Sequence, residues 1–556
     1  MKLSPPRVAL LAALAVASSA PALSQSLIYN LPGAAAGDGF GQASRAAGDV
    51  DGDGVCDLIL GSRAGFVGVG YARLVSGTNG MLIHEFDGAA AGDGFGSAVA
   101  ALDDVNGDGV RDLIVGAPLA GAGSRGEVTV FSGLDGAPLR TLSGDAAGDH
   151  FGWSVVGLAD VDGDTFGDFA VGALDADDQG LSAGTVRVFS GATGATLRTL
   201  QATAPKQLFG YALAAMPDLD GDTVEELIVG APGLVQLGSP DPGGVRVFSG
   251  ATGLELASWS GHTANDAFGR AVACAGDVDA DGVPDVIVGA PQPVAGNPGY
   301  ARVFSGATGN LLYDWAGDSA GDLFGAAVAA AGDVNLDTQG DVAVGAPGDD
   351  DNGSKSGSVR LLSGQAGSTL YTIHGEGFAY ELGSSLDGGS DINADGPADL
   401  VMAVPGDVSA GGATGAARVL SPRTLALCAD SHLLAVKASA PIDLHIDAGP
   451  TFAGATYELV GSISGTEPGT TYAGLPLELN PGRYFKFTLA FNPIGPLRPP
   501  VGVLDAQGRA TATFAPPRLA SAKWLVGRTF HHALVIYDAA GNALSTSNAW
   551  PVTITP

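Results

Sequence analysis

Asp49-Val50-Asp51-Gly52-Asp53-Gly54-Val55-Cys56-Asp57, followed at once by Leu58-Ile59-Leu60-Gly61, is the stretch that decides the fold. Acidic residues at positions 1, 3, 5 and 9 run straight into a short apolar segment, and the pattern returns six more times. The loops begin at Asp49, Asp104, Asp160, Asp218, Asp277, Asp333 and Asp391, in steps of 55, 56, 58, 59, 56 and 58 residues. A Phe-Gly pair stands nine residues ahead of the first six loops, at Phe40, Phe95, Phe151, Phe209, Phe268 and Phe324, and Leu382-Gly383 replaces it before the seventh. A repeat of this length is one supersecondary unit that buries its apolar face against its neighbours.

Each copy reads as four strands. In the second copy, "SAVAALDDV" makes the first, and "DLIVGA", apolar throughout, makes a second that is buried on both faces. "GEVTVFSG" alternates with period two and makes a third, and "APLRTLSG" a fourth after a glycine-rich turn. Four strands per unit, seven times over, predict an all-β, seven-bladed β-propeller with four-stranded blades. The seventh copy has only three strands, ending near Ala417–Ser421, while "SLIYNLPG" from Ser26 precedes the first Phe-Gly and matches a fourth. The N-terminal strand is therefore expected to close blade seven and remove an exposed edge.

The loops carry the chemistry. Their candidate ligands are Asp49, Asp51, Asp53 and Asp57; Asp104, Asn106, Asp108 and Asp112; Asp160, Asp162, Asp164 and Asp168; and Asp218, Asp220, Asp222 and Glu226. The last three loops supply Asp277, Asp279, Asp281 and Asp285; Asp333, Asn335, Asp337 and Asp341; and Asp391, Asn393, Asp395 and Asp399. Oxygens at positions 1, 3, 5 and 9, with the carbonyl of position 7, suit Ca2+, which takes six to eight hard oxygen ligands in irregular geometry. Mg2+ demands a near-ideal octahedron, and zinc favours His or Cys, which these ligand positions lack. Up to seven Ca2+ ions are expected. The loops are not EF-hands, because apolar strand residues follow position 9 and no Glu stands at position 12. Asp-Gly pairs also make plain turns, but turns alone do not require four ligand-type positions in seven loops. Position 6 is Gly in loops one, two, five and seven and Thr165, Thr223 and Thr338 in the others. A β-branched residue at positive φ is costly, so loops three, four and six are expected to bind more weakly or to turn differently.

Composition agrees. The chain has 556 residues, 46% of them hydrophobic, only 15% charged, and a net charge of −33. From Cys428 to Pro556 the acidic and basic residues balance at eight each, so the negative charge belongs to the repeats. Such acidity argues against nucleic acid and anionic membrane surfaces, which need positive patches. Lys2 and Arg7 precede an apolar run from Val8 to Ala17, with Ala22-Leu23-Ser24 as a cleavage signal before Gln25. This is a signal peptide and not a spanning helix, and no later run reaches the spanning length of about 18 apolar residues. The expected protein is secreted or held at the cell surface. Three cysteines, Cys56, Cys274 and Cys428, do not make a disulfide framework. The expected domains are the signal peptide over 1–24, the propeller over 25–424 and a β-sandwich over 425–556, where runs such as "RYFKFTLAF" and "HHALVIYD" alternate.

The Phe-Gly pairs, the acidic loops and the segments Val115–Pro118, Val229–Pro232, Val288–Pro291 and Val344–Pro347 resemble FG-GAP repeats, such as those of the integrin α N-terminal propeller. Gly61-Ser62-Arg63, Gly172-Ala173-Leu174 and Ala403-Val404-Pro405 depart from that pattern. The resemblance, over residues 26–424, implies a seven-bladed propeller, calcium in loops on one face, and adhesion or ligand binding by other loops. It points to a calcium-binding adhesion or interaction scaffold, not an enzyme, with an extracellular protein or glycan as ligand. The alternative is a carbohydrate-binding protein or a polysaccharide-active enzyme using the propeller face. Gly317-Asp318-Ser319 reads as a turn and not as a hydrolase serine, and His531-His532 alternate in a strand without ligand partners.

Overall fold

The computed structural model describes residues 26–421 except 64–67, 234–240, 293–296, 336, 394–397 and 408–413; beyond 421 it describes a set of strands between 426 and 555. Residues 1–24, expected to form the signal peptide, lie outside the described residues.

Seven four-stranded antiparallel sheets follow one another along residues 26–421. Blade one consists of Ala43–Gly48, Asp57–Ser62, Tyr71–Val75 and Leu82–Asp87, hydrogen-bonded in that order. Blades two to six repeat the order, each built from four consecutive strands. Burial grades outward across each blade. The second strand is buried at every residue, as in Asp168–Ala173 and Asp285–Ala290, because sheets pack against both of its faces. The third alternates, as in Glu127–Phe131, and the fourth is the most exposed, as in Pro138–Ser143. The first strand of each blade packs against the first strands of its two neighbours, including blade one against blade seven, so the ring closes on itself.

The cores lie between blades. One cluster joins Ile114, Val128 and Val130 of blade two to Phe151, Phe169 and Val171 of blade three, and another joins Leu58 and Leu60 of blade one to Val401 and Val419 of blade seven. The Phe-Gly pairs staple these junctions. Phe268, fully buried at the entrance to blade five, bridges Gly243 of blade four, and its N–H donates to the Pro242 carbonyl. The glycine that follows each such position has positive φ, 89° at Gly269; a Cβ there would fall 2.3 Å from the Gly244 carbonyl oxygen. Only glycine permits that approach. Leu382 takes the aromatic position at blade seven and is equally buried.

Closure follows the expected route. Ser26–Pro32 pairs antiparallel with Ala416–Ser421, from Ser26 opposite Ser421 to Pro32 opposite Ala416. It is the outer strand of the sheet formed by Leu386–Ser390, Asp399–Val404 and Ala416–Ser421. The junction is reinforced by the Gly33 N–H donating to the Gly415 carbonyl and the Phe40 N–H to that of Thr414.

Beyond residue 421 the chain is all strand among the described residues. Ala426–Ala429, Ile442–Asp447, Arg509–Phe514 and Leu497–Arg498 form one sheet. A second is centred on Thr529–Tyr537, which pairs with Thr456–Ser462 and Trp550–Thr555 and carries His531 and His532. These are the components a sandwich requires; how the two sheets pack lies outside the described residues.

A chain beginning at Gly33 should keep six blades intact but leave Ala416–Ser421 as a bare edge. Its expected behaviour is a lower melting temperature and concentration-dependent association, read by calorimetry and size-exclusion chromatography.

Candidate metal centres

Each acidic loop joins the first strand of a blade to its second, so all seven lie at the same end of the ring. The local sequence dictates the loop's shape. The position 1 carboxylate accepts from the N–H groups of positions 4 and 6, for example Asp104 from Gly107 at 2.6 Å and Gly109 at 2.7 Å. Position 3 accepts from the N–H of position 5, and position 5 from that of position 7, as Asp220 does from Asp222 and Asp222 from Val224. These side-chain turns are what Asp and Asn do best. They engage the Oδ1 atoms of positions 3 and 5 with backbone.

Position 9 behaves differently. Asp57, Asp112, Asp168, Glu226, Asp285, Asp341 and Asp399 are all fully buried. Asp168 Oδ2 accepts from the Val161 N–H at 2.8 Å, and its Oδ1 from the Gly191 N–H at 2.9 Å, in the turn after the third strand. Asp57, Asp112, Asp285 and Asp341 repeat both bonds with Gly77, Gly133, Gly306 and Gly364. Burial, followed in part by the neighbouring loop carboxylates, pushes Asp112, Asp168 and Asp285 up to about 6 against those backbone donors. Burial likewise dominates at Asp341, which also reaches about 6. Asp104 and Asp160 at position 1 move the other way: desolvation raises them, but the loop N–H groups together outweigh it and hold both below the usual carboxylate range.

The sequence-derived ligands converge unequally. Ligand atoms of positions 1, 3 and 9 lie within 4.8 Å of one another in loops three, four and five: Asp160, Asp162, Asp168; Asp218, Asp220, Glu226; and Asp277, Asp279, Asp285. In loop one the set is Asp49, Asp51 and Asp53, with Asp57 outside it. In loop two Asn106 turns its Nδ2 toward Asp108 at 2.9 Å and Asp112 at 3.4 Å, so an amide stands between those carboxylates. In loop six Asn335 Nδ2 donates to Ser363 Oγ at 3.3 Å. Asp391 and Asn393 of loop seven are described; Asp395 lies outside the described residues.

The threonine loops do not turn differently. Thr165, Thr223 and Thr338 take φ of 77°, 74° and 75°, beside 89° at Gly54 and 86° at Gly109. Their N–H groups make the same bond to position 1, 2.7 Å for Thr165 to Asp160. The loop's hydrogen bonds hold a β-branched residue in a region it avoids, at a cost of order 1–2 kcal/mol.

Three features were not read from the sequence. The residue at position 2 is apolar in all seven loops and anchors most of them in the inter-blade core, with Val50, Val105, Val161, Val278 and Ile392 buried. An arginine recurring before the last residues of the third strand stacks over the Phe-Gly ring. Arg187, Arg246 and Arg360 lie 4.4, 5.3 and 4.8 Å from Phe151, Phe209 and Phe324. A further ligand-type group, Asp349, Asp351 and His374, sits in blade six away from the acidic loops; its signal was the Asp349-Asp350-Asp351 run.

With this geometry in place, comparison with known proteins is informative. The FG-GAP repeat family matches residues 95–131 and 268–304, in each case from the Phe of Phe-Gly to the last Phe of the third strand. Integrin alpha-V of Gallus gallus is 29% identical over 221 residues, covering 36% of this chain and 20% of that protein. Integrin alpha-5 of Xenopus laevis is 31% identical over 215 residues, 35% of this chain and 20% of the other. Integrin alpha-PS2 of Drosophila melanogaster is 38% identical over 130 residues, 21% and 9% respectively. The chain thus spans about a fifth or less of the length of these relatives. Residues 26–421 form a seven-bladed propeller; two of its repeats match the FG-GAP family, and about a third of the chain is similar to integrin α subunits.

Thr223→Gly should relieve the left-handed strain and stabilise the protein by about 1 kcal/mol after the entropy of the added glycine is counted, read as a higher melting temperature in chelator. A second expectation concerns pH. Because Asp112, Asp168, Asp285 and Asp341 are raised to about 6 in the fold, ion-free protein is favoured by their protonation. That contribution is complete below their unfolded values near 4 and is lost as pH rises through about 6. Metal-stripped protein should therefore melt higher at pH 5 than at pH 7.5; the opposite order would refute the assignment of these groups.

Proposed function

We propose that this protein is a secreted or cell-surface interaction scaffold whose acidic loops bind Ca2+, the ions clamping the first hairpin of each blade, and whose ligand is an extracellular protein. The observation that carries the calcium reading is in loop four. Glu226 Oε1 accepts from the Leu219 N–H at 2.7 Å and the Asp220 N–H at 3.2 Å, whereas Oε2 is buried with no hydrogen-bond partner. An oxyanion left buried and unsatisfied is costly, and here it shares a loop with Asp218 and Asp220. A hard cation supplies the missing interaction. The donor set is oxygen throughout, which selects Ca2+ over zinc.

The proposed ligands remain the four named positions of each loop, in all seven loops. Loops three, four and five have their carboxylates already gathered. Loop two needs Asn106 to present its carbonyl oxygen in place of the amide nitrogen that now faces Asp108. Extracellular sites of this kind have dissociation constants of about 0.1–1 mM. At ten times that concentration each adds about 1.4 kcal/mol, and seven together about 10 kcal/mol, the size of a whole domain's stability.

The adhesion reading rests on the similarity to integrin α subunits over about a third of the chain. Those same relatives give the carbohydrate and enzyme alternatives no footing. Export rests on the signal-peptide pattern of residues 1–24 and on the extracellular context of the homologous propellers. No described helix is long and apolar enough to cross a membrane.

Thermal melting in Ca2+, Mg2+ and chelator, with bound ions counted per chain, tests the proposal. Calcium should raise the melting temperature well beyond what magnesium does, with several ions bound. Glu226→Gln should lower the count by one and leave the other loops loaded. A melting temperature indifferent to chelator would refute the clamp.

A further inference from the structure

The end of the ring opposite the acidic loops holds a site of different character. There the first strands begin, and they line a cavity of about 200 Å3 on the central axis. The residue two places after each Phe-Gly phenylalanine, or after Leu382 in blade seven, forms its rim: Gln42, Ser97, Trp153, Tyr211, Arg270, Ala326 and Ser384. The repeats are nearly identical around these positions, yet the rim is not. Aromatic bulk and charge fall on three adjacent blades, and Gln42, Ser97, Ala326 and Ser384 on the others.

Trp153 and Tyr211 lie with ring centroids 5.6 Å apart, and the Arg270 guanidinium sits 5.2 Å from the Tyr211 ring. Arg270 is exposed and makes no ion pair or side-chain hydrogen bond among the described residues. Elsewhere on the rim, Ser384 Oγ is shielded from solvent and has no hydrogen-bond partner. The cavity is lined by two arginines, Arg270 and Arg45, and by no Asp or Glu, in a chain with 59 acidic and 26 basic residues. Arg45 is partly engaged: its Nη1 donates to the Ser44 carbonyl at 2.7 Å and lies 4.0 Å from Asp387 Oδ1. Arg270 is thus an exposed cation against an aromatic ring, at the rim of a cavity that an unsatisfied hydroxyl also lines.

We infer that the axial mouth is a carboxylate-binding site that accepts an acidic side chain of a partner polypeptide, Arg270 pairing with the carboxylate and Ser384 Oγ donating to it. Trp153 and Tyr211 cover the aliphatic stem of the incoming residue and, by ring contact, fix the guanidinium. The charge pattern decides the class: the repeats carry the chain's net negative charge, whereas the lining of this opening holds two arginines and no Asp or Glu, so an anionic group meets an attractive field there. The inference deepens the proposed scaffold role by naming the partner chemistry. It rests on the propeller acting as a binding platform, not on the ions.

The test uses the full chain in excess calcium and saturation-transfer NMR with the capped peptides acetyl-Gly-Glu-Gly-amide and acetyl-Gly-Gln-Gly-amide, and with acetate. The glutamate peptide should bind, and the glutamine peptide roughly tenfold more weakly, as expected for loss of one charge-assisted contact. Arg270→Gln should abolish that preference while melting like the parent, and Lys355→Gln, at an exposed surface lysine in blade six, should leave it unchanged. Equal binding of the two peptides, no binding of either, or full retention by Arg270→Gln overturns the site. Acetate matching the glutamate peptide overturns the side-chain assignment. Any of these results on protein that still melts in a calcium-dependent way leaves the clamp intact.

Discussion

Seven buried carboxylates hold this architecture in register. Each position 9 acid is fully enclosed at the base of a hairpin, and at Asp57, Asp112, Asp168, Asp285 and Asp341 it is tolerated because backbone N–H groups from two separate places converge on it. One comes from its own loop and the other from the turn that ends the third strand. A charge this deep without partners would cost several kcal/mol. The bonds therefore dictate where the loop folds over and where the third strand stops. They also place the remaining loop carboxylates in a cluster whose mutual repulsion must be relieved by protons or by metal. Fold and chemistry share the same side chain, which explains why position 9 is acidic in all seven copies while position 6 varies.

The repeats made much of this legible. Periodicity revealed the blade number, strand order within a blade followed from the apolar "DLIVGA" and alternating "VTVF" segments, and the missing strand of the last copy located its replacement at Ser26. What escaped was interaction between elements far apart in sequence. The stacking of Arg187 on Phe151 links residues from two strands of one blade, and neither residue signals the other. The convergence of loops three to five, against the amide-filled loop two, depends on side-chain rotation that spacing does not encode. The threonines show the limit from another side: their reluctance to adopt positive φ was correctly anticipated, but the loop's own hydrogen bonds overrule it.

The ring separates two kinds of electrostatics along each inner strand. At one end a strand runs into an acidic loop; at the other it begins at the axial rim, where Arg270 stands among aromatic and hydroxyl groups. Divergence between blades is slight at the first end and wide at the second, because every loop must solve the same burial problem whereas the rim is free to vary.

Pairing Ser26–Pro32 with Ala416–Ser421 makes the earliest-synthesised part of the ring wait for its last. Nearly four hundred residues must emerge before the circle can be completed, so until then the nascent polypeptide is an open arc whose first strand has no partner. The ring locks only once its far end arrives, so nothing upstream of Ala416 can hold the closed circle by itself.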